Sequence, residues 1–119
     1  MEKRAYADLI NDESVQYKVE KPEMLRSVFF GDSILVGRNV ITAGTEVPLH
    51  SHPEEQYTLV ISGECDVTCG GETFHMGPGC ICFAPANVEH GLKMWDESDV
   101  ELYDIFTPVR QDWIDPLEK

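Results

Sequence analysis

Three histidines and one glutamine stand at spacings that suit a metal ion. His50 and His52 are separated by a single residue, Gln56 follows shortly after them, and His90 lies in a second segment behind Phe83-Ala84-Pro85-Ala86. On a β-strand, side chains at i and i+2 leave the same face with Cα atoms ~6.5–7 Å apart, so two imidazoles can converge on one ion at ~2.0–2.1 Å. On a helix the same pair would diverge. Positions 50, 52 and 56 share parity, so Gln56 can face inward with the pair, provided that Pro53 does not shift the register through a bulge. His90 can supply a further ligand from a neighbouring strand. An HxH pair also arises by chance on protein surfaces, and only its surroundings give it weight. His75, in the charged segment Glu72–His75, reads as a solvated strand residue.

A carboxylate occupies a second unusual place. Alternation along Val100-Glu-Leu-Tyr-Asp-Ile-Phe106 puts Val100, Leu102, Asp104 and Phe106 on one face, with the acid in the middle of an apolar row. A buried carboxylate needs a partner or a task. Two readings stand side by side: an ion pair with Arg110 or Arg38, and a general acid/base beside a metal. Arg110 reads either as a surface charge or as a clamp for a substrate carboxylate. Tyr57 and Phe83 read as core. Cys65, Cys69, Cys80 and Cys82 form no CxxC pair, and reduced thiols packed in a core are expected. The alternative is a zinc or redox site, since Cys80 and Cys82 would share one face of a strand.

The elements that must position these residues are strands. Seven Pro and nine Gly divide the chain into short pieces, and after residue 14 no apolar pattern keeps helical spacing over three turns. The expected strands are Ser14–Val19, Leu25–Phe30, Ile34–Thr42, Glu46–His52, Tyr57–Ser62, Glu64–Cys69, Glu72–His75, Cys80–Ala84, Gly91–Met94 and Val100–Phe106. Turn signals such as Gly31-Asp32, Ser62-Gly63 and Gly70-Gly71 separate them. Short strands at this spacing predict an all-β sandwich or small barrel. Residues 1–13 are expected to form an arm or short helix, and 108–119 a tail that packs back on the barrel through Trp113 and Leu117.

The composition narrows the function classes. A chain of 119 residues is expected to form a single domain, 1–119, with one core. Its net charge of -13 repels polyanions, so no nucleic-acid partner is expected. Apolar runs fall far short of the ~20 residues that cross a bilayer, and the opening MEKRAYADLINDE lacks the apolar stretch of a signal peptide. A cytoplasmic protein with no membrane partner is expected.

Read with its glycines, the first segment is Gly44-x5-His50-x-His52-x3-Gln56-x6-Gly63, and the second is Gly79-x5-Pro85-x-Asn87-x2-His90. The two segments resemble the two sequence motifs of the cupin superfamily, in which two His and a Glu from the first motif and one His from the second hold a divalent metal inside a small β-barrel. Gln56 stands where cupins usually have Glu, Asn87 where the second motif usually has Gly, and Met94 where Asn is common. The resemblance implies a double-stranded β-helix with one divalent ion on His50, His52, Gln56 and His90. Glu54 or Glu55 offers an alternative oxygen, although Glu55 has the wrong parity and Glu54 would need the strand to run through Pro53.

The runs His50-Ser-His-Pro-Glu-Glu-Gln-Tyr-Thr, Ala84-Pro-Ala-Asn-Val-Glu-His-Gly and Asp104-Ile-Phe-Thr-Pro-Val-Arg-Gln-Asp-Trp113 are similar to the KdgF-type small cupins of pectin and alginate breakdown, over roughly Tyr17 to Leu117. That likeness implies an enzyme converting 4,5-unsaturated monouronates to linear keto sugars. It implies catalytic positions at Asp104, Phe106 and Arg110, and a metal held by three His and a Gln. A neutral amide in place of a carboxylate leaves the ion its full charge, which favours Lewis-acid work by a fixed M²⁺ (Ni, Co, Mn, Zn or Fe) over activation of O2. A small-molecule sugar acid is the expected partner, together with a second copy of the chain in a homodimer. A binding module without catalysis, and a different metal-dependent cupin enzyme such as a lyase or dioxygenase, are the alternatives.

Overall fold

The alternating apolar pattern becomes ten β-strands in the computed structural model, which describes residues 2–118. They are β1 (Gln16–Val19), β2 (Met24–Phe30), β3 (Leu35–Ile41), β4 (Glu46–His50), β5 (Glu55–Ser62), β6 (Cys65–Cys69), β7 (Glu72–Met76), β8 (Ile81–Ala84), β9 (His90–Met94) and β10 (Val100–Thr107). One sheet has six strands in the order β1-β2-β3-β10-β5-β8, the other four in the order β4-β9-β6-β7, and the pairings are antiparallel. Two such sheets enclosing an apolar interior form a small jelly-roll barrel of the expected all-β class.

One detail departs from the sequence reading. The strand expected over 46–52 stops at His50, and β5 begins at Glu55. Pro53 has no N–H for a ladder, and a register shift between Val47 and His50, around Pro48, brings His50 directly opposite His90 on β9. Of the two forms expected for the N-terminal stretch, arm or short helix, residues 2–12 take the first. This stretch is an arm laid against β2, where the Gln16 amide donates to the carbonyls of Leu9 and Ile10 and the Ser27 hydroxyl donates to Leu9.

The interior has two apolar clusters with a polar belt between them. Met24, Ile41, Val60, Val100 and Leu102 belong to the larger cluster, and Val28, Leu35, Phe106, Trp113 and Ile114 to the smaller. Between them, at neighbouring levels, the inward rows carry Arg26 on β2, Asn39 on β3, Asp104 on β10, and Thr58 and Gln56 on β5. Full burial of a ring such as Phe106 contributes about 1.5–3 kcal/mol of apolar transfer energy on either side of the polar layer. The tail turns into α1 (Gln111–Ile114), whose Trp113 seats against Gly37. A Cβ at Gly37 would stand 2.4 Å from Trp113 Cζ3, so only glycine lets the indole close this end of the sheet.

Candidate metal centre

Backbone geometry delivers three imidazoles to one point. His50 ends β4, His90 begins β9 opposite it, and His52 follows in the loop. The Asn87 N–H donates to the His52 carbonyl at 2.8 Å, tying that loop to the segment before His90. Asn87 has φ +66°, a left-handed conformation that Asn tolerates better than most residues, which explains how it serves where glycine is usual. One ring nitrogen from each histidine lies within 4.8 Å of the others.

Each Nδ1 donates to a backbone carbonyl: His50 to Pro48 at 2.8 Å, His52 to Glu54 at 2.9 Å and His90 to Val88 at 2.8 Å. A carbonyl only accepts, so Nδ1 carries the proton and the lone pair of each neutral imidazole is on Nε2. Gln56 Oε1 stands 3.0 Å from Nε2 of both His52 and His90. Acceptors therefore face acceptors, and either protonation or a metal cation must relieve the repulsion. Burial holds the His90 imidazole below its ordinary pKa, and the nearby His50 and His52 act in the same direction. The arrangement fits a metal ion on its donor chemistry. Neither Glu54 nor Glu55 joins the cluster among the described residues; the Glu54 carboxylate lies 3.4 Å from His52 Nδ1 instead.

Asp104 closes the belt behind Gln56. Only 5% exposed, it accepts from Gln56 Nε2 at 2.7 Å and Thr58 Oγ1 at 2.7 Å on Oδ1, and from Asn39 Nδ2 at 2.8 Å on Oδ2. Its partners are neutral donors, not the arginines considered from sequence. Arg38 pairs with Glu101 at 2.6 Å, and Arg110 with Asp112 at 2.7 Å. Phe106, fully buried, meets the His52 ring edge-on at 5.6 Å and the Trp113 ring at 4.7 Å, while the Arg110 guanidinium lies 4.9 Å from the centre of the Phe106 ring. A cavity of about 430 Å³ opens over this floor, bordered by His50, Gln56, His90, Asp104, Phe106 and Arg110, with Lys21, Arg26 and Trp113 further along its wall.

Several participants were not singled out from sequence. Asn39 and Thr58 share inward parity with Ile41 and Val60, and a polar residue in an inward row was the available signal. Arg26 carried the same signal between Met24 and Val28. Other expectations are corrected. Tyr57 and Phe83 point outward, stacked at 5.0 Å on the outer face of the larger sheet, because their strand positions have the opposite parity to Gln56 and Ala84. All four thiols are free, but Cys80 lies exposed before β8 and only Cys65 is fully buried.

Comparison with known proteins agrees with this fold. The family described as "Cupin domain" matches residues 37–106, a span containing both histidine segments and Asp104. An uncharacterised protein of Streptomyces coelicolor is 30% identical over 73 residues, covering 61% of this chain and 69% of that protein. The structure of KdgF from Halomonas sp. superposes with a TM-score of 0.79 at 25% identity, covering 91% of this chain and 98% of the other. An RmlC-like cupin from Shewanella frigidimarina gives a TM-score of 0.77 at 22% identity, covering 90% and 96%.

Proposed function

The chain belongs to the cupin domain family, and from that premise we propose that it is a metal-dependent enzyme of sugar-acid breakdown that converts 4,5-unsaturated monouronates to linear keto sugars. The observation that carries the reading is the buried Asp104 carboxylate in the cavity wall, one hydrogen bond behind Gln56. The likeness to KdgF, in fold and in the run from Asp104 to Trp113, supports the same assignment.

In this reading His50, His52, His90 and the Gln56 amide oxygen hold one divalent ion, Ni, Co, Mn, Zn or Fe. When bound, that ion supplies a Lewis acid that stabilises negative charge on substrate oxygens. The protein's own groups do the rest. The conversion is an isomerisation: the anomeric hydroxyl gives up a proton, the bond from C1 to the ring oxygen opens, and C4 takes up a proton as the enol becomes a ketone. Asp104 exchanges the proton with the sugar. Phe106 and Trp113 form a dry wall beside it, and Arg110 adds positive charge at the mouth. Four free thiols accord with a reducing compartment, and we place the activity in the cytoplasm. The apolar outer face of the larger sheet, with Tyr57 at 36%, Ile61 at 43%, Ile81 at 59% and Phe83 at 45% exposure, is assigned to a homodimer contact.

The test is metal analysis of the purified protein followed by an ultraviolet assay, because the conjugated double bond of an unsaturated monouronate absorbs until it is lost. Loss of absorbance without O2 uptake is expected. A metal-loaded protein that leaves every unsaturated monouronate untouched would sink the reading; O2 consumption or another product would point to a different metal-dependent cupin enzyme.

A further inference from the structure

Arg26 differs from the other arginines. Arg4, Arg38 and Arg110 each lie against a carboxylate, on Asp12, Glu101 and Asp112. Arg26 has only neutral hydrogen-bond partners among the described residues: Nε donates to Asn39 Oδ1 at 2.9 Å, and its terminal nitrogens lie 3.4 Å from Tyr17 Oη and 3.4 Å from Met24 Sδ. Its guanidinium carbon sits 3.4 Å from the centre of the Trp113 ring. It borders the same cavity as Gln56, His90 and Asp104. Of nine Lys and Arg in a chain of net charge -13, three line this cavity, against a single acidic lining residue, Asp104.

We propose that Arg26 binds the carboxylate of the substrate; the assignment rests on the reading of the cavity as a sugar-acid site. A guanidinium presents a planar fork matched to a carboxylate. Stacking on Trp113 and the bond to Asn39 hold Arg26 in place before anything arrives, so little side-chain freedom is lost on binding. Arg110 is the poorer clamp because Asp112 already fills its fork, Nε to Oδ1 at 3.2 Å and a terminal nitrogen to Oδ2 at 2.7 Å. Exchanging that carboxylate for a substrate's replaces like with like. Arg26 also sits in register with the chemistry, since it bonds to Asn39, Asn39 to Asp104, and Gln56 to Asp104 in turn. A carboxylate anchored at Arg26 therefore has a set position relative to both the proton carrier and the histidines. At about 430 Å³ the cavity is near the lower end of the ~300–1,000 Å³ of small-molecule sites, the size for a monosaccharide acid rather than a polymer.

The experiment compares metal-loaded wild type, Arg26→Met and Arg26→Lys. Calorimetric titrations use D-galacturonate, a saturated uronate without the reacting double bond, its neutral methyl ester, and succinate; kinetics use an unsaturated monouronate. Wild type is expected to prefer galacturonate to the ester at least tenfold, and Arg26→Met to lose that preference. KM should rise tenfold or more with a much smaller change in kcat. Arg26→Lys keeps the charge without the fork, should recover only part of the effect, and decides the matter if the Met variant does not fold. An unchanged acid-to-ester ratio and KM in a folded variant overturns the assignment of Arg26 while leaving the uronate reading intact. Absent turnover, with succinate bound by wild type and lost in the variants, keeps Arg26 as the carboxylate site and removes the uronate reading. A wild type that binds none of these acids overturns both.

Discussion

Gln56 Nε2 donates to Asp104 Oδ1 at 2.7 Å while Gln56 Oε1 stands 3.0 Å from the Nε2 atoms of His52 and His90. One amide thus joins a buried carboxylate to two of the three imidazoles positioned to hold a metal ion. The contact explains why an amide occupies this position. Glutamate here would set two carboxylates at hydrogen-bond distance, where both cannot stay ionised. With glutamine, Asp104 polarises the amide from behind, strengthening Oε1 as a donor to a cation without a second charge among the ligands.

Gln56→Glu is therefore expected to lower both the melting temperature and turnover, because the new acid must share a proton with Asp104. The swapped pair Gln56→Glu/Asp104→Asn rebuilds the bond with the carboxylate and amide exchanged. Its melting temperature and metal content should return to near wild type while activity stays low. Full activity in the double variant would remove Asp104 as the proton carrier.

Asp104→Asn alone is not a silent replacement. Its amide nitrogen must face either Gln56 Nε2 or Asn39 Nδ2, both donors, and Asn39 cannot turn its amide because Arg26 Nε donates to its oxygen. A cost of about 1–3 kcal/mol in stability is expected for the unmade hydrogen bond. Turnover per folded, metal-loaded molecule should fall by ~10²–10⁴ if Asp104 exchanges a proton with the sugar. Activity retained on that basis would leave Asp104 as the residue that orients Gln56 and nothing more.

Replacing His50 and His52 together by Ala should abolish metal uptake with the barrel still folded, since His52 lies outside the strands and His50 at the end of β4. Elemental analysis and far-ultraviolet circular dichroism check both halves. Stoichiometric metal in the double variant would move the site elsewhere, the thiols being the next place to look.

Burial pushes the Cys65 thiol up to about 12 and the Cys82 thiol up to about 11, from an ordinary value of 9.0. At pH 8 iodoacetamide should modify exposed Cys80 first and leave Cys65 and Cys82 untouched until the chain unfolds, because the thiolate is the nucleophile. The same shifts set an alkaline limit. Folded-state values above the unfolded one contribute stability that is complete below pH 9 and is lost as pH rises toward 11–12. Denaturant midpoints should stay level from pH 7 to about 9 and fall from there to pH 11.

Phe83→Glu places a charge in the outer apolar face and is expected to yield monomers by light scattering with the metal content unchanged. A wild type already monomeric at high concentration would discard the homodimer.

Apolar patterning and the Gly and Pro between the pieces marked ten strands, although the one expected to reach residue 52 ends at His50, because a half-buried strand favours apolar side chains at alternate positions and turn residues mark where it stops. The three histidines were legible through a resemblance: an HxH pair alone arises by chance, and the likeness of both segments, with their glycines, to the cupin motifs singled out His50, His52 and His90 as one cluster. Asp104 was legible as an inward acid, but its partners in the polar belt were not. Arg26, Asn39, Thr58 and Asp104 come from four strands, and their order across the sheet, β2-β3-β10-β5, depends on long-range pairing and register that local pattern does not encode. Only that register set Asp104 against Thr58, Gln56 and Asn39 instead of an arginine, and it made a glutamine the bridge between carboxylate and imidazoles. Parity along a strand decides which residues point inward; pairing between strands decides which of them meet.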